Sequence, residues 1–304
     1  MPIPDLISTD ARANLTGSLW MTGAMAGFAV EDALVKTVTA RMPVAEFLTL
    51  FGLGGMMVFA VVATLRGESL MDAGVLSPAM RVRFVFEVTG RLFFTLALAL
   101  TSLSATTAIL QATPIVVVLG AALIFGEKVG WRRWTAIGIG LVGVLIILRP
   151  LPGSFSPLSL LAVLGLLGFA GRDLASRAAP RSLGTATLGF YGFVALASAG
   201  GIYGLWERES FVWPDGATVL LLMAVVLCGA TAYMSLMKAM RTGEVSAVTP
   251  FRYTRILCGV GLGVLVFDET LEWNVALGGA VVISAGLFIL WRSNRSSWPP
   301  SDQL

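Results

Sequence analysis

The chain has 304 residues, of which 56% are hydrophobic and only 13% charged, with a net charge of +3. Soluble domains carry about 25% charged residues, so a surface that mostly faces water is excluded, as the mean hydropathy of +0.84 also indicates. The small net charge excludes a nucleic-acid-binding stripe, and the absence of histidine removes the commonest general base and metal ligand.

The first 14 residues read as a polar tail. Asp5 and Asp10 precede the first apolar run and no basic leader does, so this run is expected to stay in the mature protein rather than act as a cleaved signal. A spanning helix needs about 20 mostly apolar residues. By that measure spans are predicted over 15–37, 44–65, 83–101, 104–126, 131–149, 156–177, 183–205, 216–240, 244–267 and 271–292. A second polar tail follows over 293–304, where Pro299 and Pro300 prevent a helix from continuing. Cys228 and Cys258 lie in apolar runs with no CxxC pairing and are expected as free thiols.

An even number of crossings puts both termini on one side. That side collects Arg12, Arg66, Arg81, Arg83, Lys128, Arg132, Arg133, Arg177, Arg181, Lys238, Arg241, Arg292 and Arg295; the other holds only Lys36, Arg41, Arg149 and Arg208. The positive-inside rule then predicts cytoplasmic termini, in a bacterial inner membrane.

The halves repeat. Phe125-Gly126-Glu127 with Trp131 recurs as Phe267-Asp268-Glu269 with Trp273, Glu269 lying 142 positions after Glu127. Phe28-Ala29, Asp32 and Lys36 recur as Phe169-Ala170, Asp173 and Arg177, at an offset of 141 from Asp32 to Asp173. Each half then holds about five spans, and an odd number of crossings inverts the second copy, a transporter design with its site near the midplane. The predicted fold class is therefore an all-α integral membrane bundle of two inverted five-helix repeats, 15–149 and 156–292.

Halves that each carry Phe-x-Glu-x-x-x-Trp before a Gly-rich last helix resemble the EamA-type drug/metabolite transporters, and Thr249-Pro250-Phe251-Arg252-Tyr253 is similar to that family's second-repeat motif. The overall character is nearest to its YddG-type amino-acid exporters. The first half departs from the motif: Gln111 stands at the repeat position of Tyr253, and Pro114 has no counterpart. The resemblance implies a carrier for small metabolites, most of all amino acids.

Ionisable groups inside a bilayer are costly and each needs a reason. Glu87 and Arg91, at i and i+4, form either a local ion pair or a carboxylate-binding Arg91 oriented by Glu87. Arg252 and Arg255 fall roughly 12 and 16 Å into their span; Arg255 is expected either to line a cavity or to pair with Glu87. Asp32, with Glu31 and Lys36 beside it, and Asp173, with Arg172 and Arg177, are expected in local pairs; Glu87, Glu31 or Asp32 would have to carry any proton coupling. Glu127 and Glu269 are expected to cap nearby helix starts, with Trp131 and Trp273 as interfacial anchors. Gln111 and Tyr253 are expected to face the pseudo-symmetric centre. Arg252, Tyr233 and Trp20 join Arg91 and Arg255 as candidate substrate contacts, while Tyr191 reads as core. Pro114 and Pro250 are hinge or kink positions, and Gly23/Gly27, Gly200/Gly204 and Gly259/Gly263 are close-packing pairs.

The expected activity is export of a small molecule, with protons as a possible coupling partner, the bilayer as surroundings and no cofactor, metal or nucleic acid. Export of drug-like cations is one alternative. A membrane enzyme acting on a lipid or isoprenoid is another, against which stands the lack of a metal-ligand spacing, an Asp-rich pair or a nucleophile elbow. A passive facilitator is a third.

Overall fold

The computed structural model describes residues 4–124, 130–149, 156–180, 182–242 and 248–295. Among them lie eleven α-helices: α1 (Pro4–Thr39), α2 (Val44–Arg66), α3 (Pro78–Leu100), α4 (Leu103–Leu110), α5 (Thr113–Ile124), α6 (Trp131–Leu148), α7 (Ser159–Arg177), α8 (Thr185–Glu207), α9 (Gly216–Thr242), α10 (Thr254–Phe267) and α11 (Trp273–Arg295). Short 3-10 turns cover Ala73–Leu76 and Thr249–Tyr253. α1 begins at Pro4, so much of the expected N-terminal tail is helical. The C-terminal tail beyond 295, and Phe125 to Val129 with Glu127, lie outside the described residues.

Local chemistry sets the ends. Ser77 caps α3, its hydroxyl accepting from Met80 N with Pro78 at the first turn, and Ser102 caps α4 through Ala105 N, each meeting an amide that the first helical turn leaves free. Gly67 at φ 65° closes α2 in the left-handed region, where glycine carries no Cβ penalty.

By length and composition, α2, α4 with α5, α7, α8 and α9 are long and apolar enough to cross a membrane, and α6 and α11 hold shorter apolar stretches. α1 and α3 have the length but carry charges in mid-helix. The expected unbroken spans over 104–126 and 244–267 are instead interrupted at matching places. α4 gives way to α5 at Gln111 and Ala112, and the 3-10 turn ending at Tyr253 precedes α10. Pro114 has no N–H to continue the ladder, and the Thr113 hydroxyl donates to the Leu110 carbonyl in its place at 2.6 Å. In the second half the Thr254 hydroxyl also donates back, to Phe251 O at 2.7 Å.

The packing has the symmetry the repeat predicts. α2 packs most extensively on its repeat mate α8, and α6 on its mate α11; α3 packs on α7 as α1 does on α9, which are equivalent pairs. Each main contact thus joins one half to the other, and the two five-span halves interdigitate as inverted copies. A large aromatic and aliphatic core around Phe47, Phe51, Phe59, Phe94, Phe169 and Phe193 fills the space between them. At α2 and α8 the backbones meet closely: a Cβ on Gly200 would lie 2.6 Å from Ala45 O, so only glycine fits.

Reciprocal carboxylate caps tie the halves at their ends. Glu207, closing α8, accepts from Val44 N at 3.2 Å and Ala45 N at 2.9 Å at the start of α2. Glu68, just past α2, accepts from Ala186 N at 2.8 Å and Thr187 N at 3.3 Å at the start of α8. Each carboxylate satisfies free amides at the positive end of a helix macrodipole.

Candidate functional site

Four helices supply a buried charge cluster. α3 contributes Arg83, Glu87 and Arg91, one helical turn apart on one face; α1 contributes Glu31 and Asp32; α7 contributes Arg172 and Asp173; α10 contributes Arg255. These are four cations and four carboxylates, so the cluster is formally neutral.

Glu87, 2% exposed, is its hub. Arg83 lies 3.4 Å away, Arg91 3.4 Å and Arg172 3.3 Å. The expected i,i+4 contact between Glu87 and Arg91 is therefore present but shared among three guanidinium groups. Arg172 also donates to Asp173 from Nε at 3.0 Å and Nη2 at 2.8 Å, the local pair expected for Asp173. Arg83 donates to Ser176 Oγ at 3.0 Å, which itself donates to Arg172 O at 2.7 Å.

Arg255 does not pair with Glu87. It meets Asp32, its Nε donating to Oδ2 at 3.0 Å and its Nη2 to both carboxylate oxygens at 2.7 Å. Nor does Asp32 pair with Lys36. The side chain of Lys36 points towards the α3–α4 connection, donating to the carbonyls of Thr101 and Leu98 and lying 3.6 Å from Glu269. Helical phase alone would allow that pair, since Asp32 and Lys36 share a face, but the Arg255 fork across the bundle satisfies more of the Asp32 acceptor sites than one ammonium.

Arg91 is held differently. Its two ionic contacts, to Glu87 and to Glu31 at 3.5 Å, are both long for a charge-assisted hydrogen bond, and about a fifth of its side chain is exposed. Glu31 is buried and its Oε2 has no hydrogen-bond partner among the described residues. This oxygen lies against Gly229: a Cβ there would meet it at 3.2 Å. Gly229 stands at the repeat position of Glu87, so the second half lacks the hub that the first half has.

Aromatic rings separate and floor the cations. Arg255 sits 5.2 Å from the Phe28 centroid and 5.6 Å from that of Phe94; Arg91 sits 5.8 Å from Phe169 and 6.0 Å from Phe193; Arg172 sits 4.9 Å from Phe169. Such contacts stabilise a desolvated cation by about 2 kcal/mol. Phe59 continues the series, with Phe193 and Tyr233 each 5.5 Å away, which brings Tyr233 to its edge.

The two helix breaks also meet. Gln111 Nε2 donates to Arg252 O at 3.3 Å, joining the interruptions of the two halves. Tyr253 is buried, with no hydrogen-bond partner for its hydroxyl among the described residues and its ring tip against Gly286. The guanidinium of Arg252 makes no ion pair among the described residues. Trp20 makes no direct contact with the cluster: Lys238 lies 4.0 Å above its ring, in an adjoining packing group with Met21, Met25 and Val248 that reaches the cluster only through Phe28. Tyr191 donates to Leu70 O at 3.1 Å.

At the far end of α10, Glu269 caps a helix, though not the one that follows it. Its carboxylate accepts from Leu103 N at 2.7 Å, Ser104 N at 3.0 Å and Ser104 Oγ at 2.8 Å, at the start of α4 in the other half. Asp268, left-handed at φ 49°, turns the chain so that Glu269 can reach back. Gly263 allows the approach, since a Cβ there would lie 2.6 Å from Glu269 Oε2. Trp131 and Trp273 are exposed at 72% and 74%.

Sequence reasoning missed Arg83 and Arg172 as members of the cluster, having counted Arg83 among loop charges, and missed the caps Glu68 and Glu207. A usable signal existed for the caps: two acids at the ends of repeat-equivalent helices.

A model of the EamA-like transporter family matches residues 15–149 and 157–292. A riboflavin transporter of Rhizobium johnstonii is 26% identical over 97% of each chain. A pseudopaline exporter of Pseudomonas aeruginosa is 28% identical over 85% of this chain and 90% of its own. An S-adenosylmethionine uptake transporter of Rickettsia prowazekii is 23% identical over 70% of this chain and 74% of its own. One solved crystal structure shares the fold with a TM-score of 0.60 at 20% identity, over 93% of this chain and 99% of that one.

Proposed function

The chain belongs to the EamA-like transporter family, and from that premise we propose that it exports a small zwitterionic metabolite, an amino acid or a relative of one, from the cytoplasm. The observation that carries the proposal is the pairing of a loosely held Arg91 with a Glu31 whose Oε2 is unpartnered. A planar guanidinium binds a carboxylate through two parallel bonds, and a carboxylate oxygen accepts from an ammonium. The two ends of an α-amino acid match that pair in charge. Arg255 and Arg172, each held by an aspartate through two guanidinium nitrogens at 2.7–3.0 Å, act as fixed members of the wall rather than as substrate contacts.

The neutral balance of the cluster argues against a cation exporter, which would favour an excess of acid. The family and the relatives argue against a membrane enzyme. The halves rock about the broken spans, where Gln111 and Tyr253 lie, and the charge bias of the loops supports cytoplasmic termini in the inner membrane. Glu31 is the carboxylate through which a proton would couple.

A second reading has an observation of its own. The rings of Phe28, Phe94, Phe169 and Phe193 interleave with guanidinium groups, surroundings that also suit a flat heteroaromatic molecule such as riboflavin, named for one relative.

Proteoliposomes screened with labelled amino acids, riboflavin and S-adenosylmethionine, with and without a pH gradient, test both readings. Accumulation of an amino acid that is lost in Arg91→Lys, with folding retained, is the expected result. Uptake of riboflavin alone overturns the zwitterion and leaves the second reading. A periplasm-active reporter fused after Arg295 should be silent.

A further inference from the structure

The inverted halves bring the same two positions into contact twice, with different results. Between α3 and α7, Glu87 meets Arg172 at 3.3 Å. The repeat mates of these two residues, Gly229 on α9 and Glu31 on α1, also meet: a Cβ on Gly229 would lie 3.1 Å from Glu31 Cδ and 3.2 Å from its Oε2. One contact is an ion pair; the other sets a carboxylate against bare backbone. Glu31 Oε1 faces Arg91 Nη1 at 3.5 Å, long for a charge-assisted hydrogen bond. Its Oε2, on the Gly229 side, has no hydrogen-bond partner among the described residues. The room beside Gly229 thus lets the carboxylate stand back from the guanidinium.

The other walls of this notch are held. The α1 and α9 backbones run close together: a Cβ on Gly27 would meet Ala232 Cβ at 3.0 Å, and the Cys228 thiol donates to Gly27 O at 3.2 Å. Phe51 Cζ would lie 3.2 Å from the Cβ added at Gly229. That ring is buried and packed between Phe47 at 5.5 Å and Phe193 at 5.4 Å. Close-packed interiors transmit strain rather than absorb it. The end of the Glu31 side chain is the part that can give, and Arg91 lies on its other side.

We propose that Gly229 is a positioning residue for cargo binding. By leaving room for Glu31 it keeps that carboxylate and Arg91 from closing on each other, so both stay available. The inference rests on the reading of Arg91 and Glu31 as the substrate contacts. A methyl group at position 229 pushes Glu31 onto Arg91, and a cargo carboxylate must then displace a tightened ion pair to reach the guanidinium.

Two measurements on the full chain test it. The first needs no cargo: a double-mutant cycle of Glu31→Gln with Arg91→Gln, read by thermal unfolding in detergent. The coupling should be small in the parent and clearly larger in the Gly229→Ala background. The second is uptake of a labelled mixture of common L-amino acids by proteoliposomes. Gly229→Ala should raise the apparent KM about tenfold, the weight of one charge-assisted hydrogen bond to be displaced, with a smaller change in maximal rate. Adding Glu31→Asp, one methylene shorter, should return KM towards the parent value. A coupling that Gly229→Ala leaves unchanged overturns the inference whatever the cargo. So does an unchanged KM with a lowered rate, the result expected of a glycine needed for packing alone. A parent that carries no amino acid overturns the zwitterion reading instead, and the thermal cycle still decides whether Gly229 holds Glu31 off Arg91. If Gly229→Ala does not fold, the pair with Glu31→Asp should, because the shorter acid withdraws from the methyl; failure of that pair also overturns the inference.

Discussion

The pairing of Asp32 with Arg255 gives the sharpest test of how the charge cluster is held. Changing Asp32 to Asn keeps shape and hydrogen-bonding capacity but removes the counter-charge of a guanidinium whose side chain is only 16% exposed. Three close contacts, at 3.0, 2.7 and 2.7 Å, lose their ionic character. Breaking one side of a buried pair costs about 3–5 kcal/mol, because the remaining charge is left unbalanced. The rings of Phe28 and Phe94 flank Arg255 and offset about 2 kcal/mol of this, so a loss of roughly 1–3 kcal/mol should survive. Replacing both residues, Asp32→Asn with Arg255→Gln, removes the imbalance as well as the attraction. A double-mutant cycle on the purified chain in detergent, read by thermal unfolding, should therefore show the double variant more stable than Asp32→Asn alone, with a coupling of about 2 kcal/mol. A double variant at least as unstable as the single, or an Asp32→Asn melting like the parent, would refute the pairing as a structural element.

Glu269→Gln should lower the apparent melting temperature, since a carboxylate serving two amides and a hydroxyl of α4 becomes a group with one acceptor oxygen and an NH2 facing donors; relative substrate preference, measured in proteoliposomes, should stay as it was. Asp268→Gly should raise the melting temperature, because the left-handed φ of 49° costs a residue with a Cβ about 1 kcal/mol; the first half already has Gly126 at this position. Thr113→Val keeps the side-chain shape but leaves Leu110 O without its donor and should destabilise by about 1–3 kcal/mol, seen as a lower melting temperature in the same assay.

The class of fold was legible because hydrophobic length and charge bias are local or summed properties. Ten apolar stretches, basic residues gathered on alternate connections and motifs repeating at 141 to 142 positions already specify two inverted halves. The repeated Glu with its Trp marked the helix ends. Interruption of the fourth and ninth spans was half visible: Pro114 and Pro250 indicated where the backbone would falter. That Gln111 reaches across to Arg252 O, joining the breaks, was not.

Which charge meets which depended on tertiary structure. Arg255 and Asp32 are 223 positions apart, and no spacing rule links them; the sequence equally allowed Arg255 with Glu87 and Asp32 with Lys36. Only the packing of α1 against α10 puts the aspartate at the guanidinium fork, while α3 packing on α7 brings Arg172 to Glu87. The caps follow the same logic. From sequence, Glu269 stands before a helix and is expected to cap it, yet the left-handed turn at Asp268 sends it to α4 of the other half. A chain by itself specifies which faces are apolar and where charges occur. Their partners are chosen when two inverted halves interdigitate, because only then do helices far apart in sequence come within hydrogen-bonding distance in surroundings where a charge cannot be left alone.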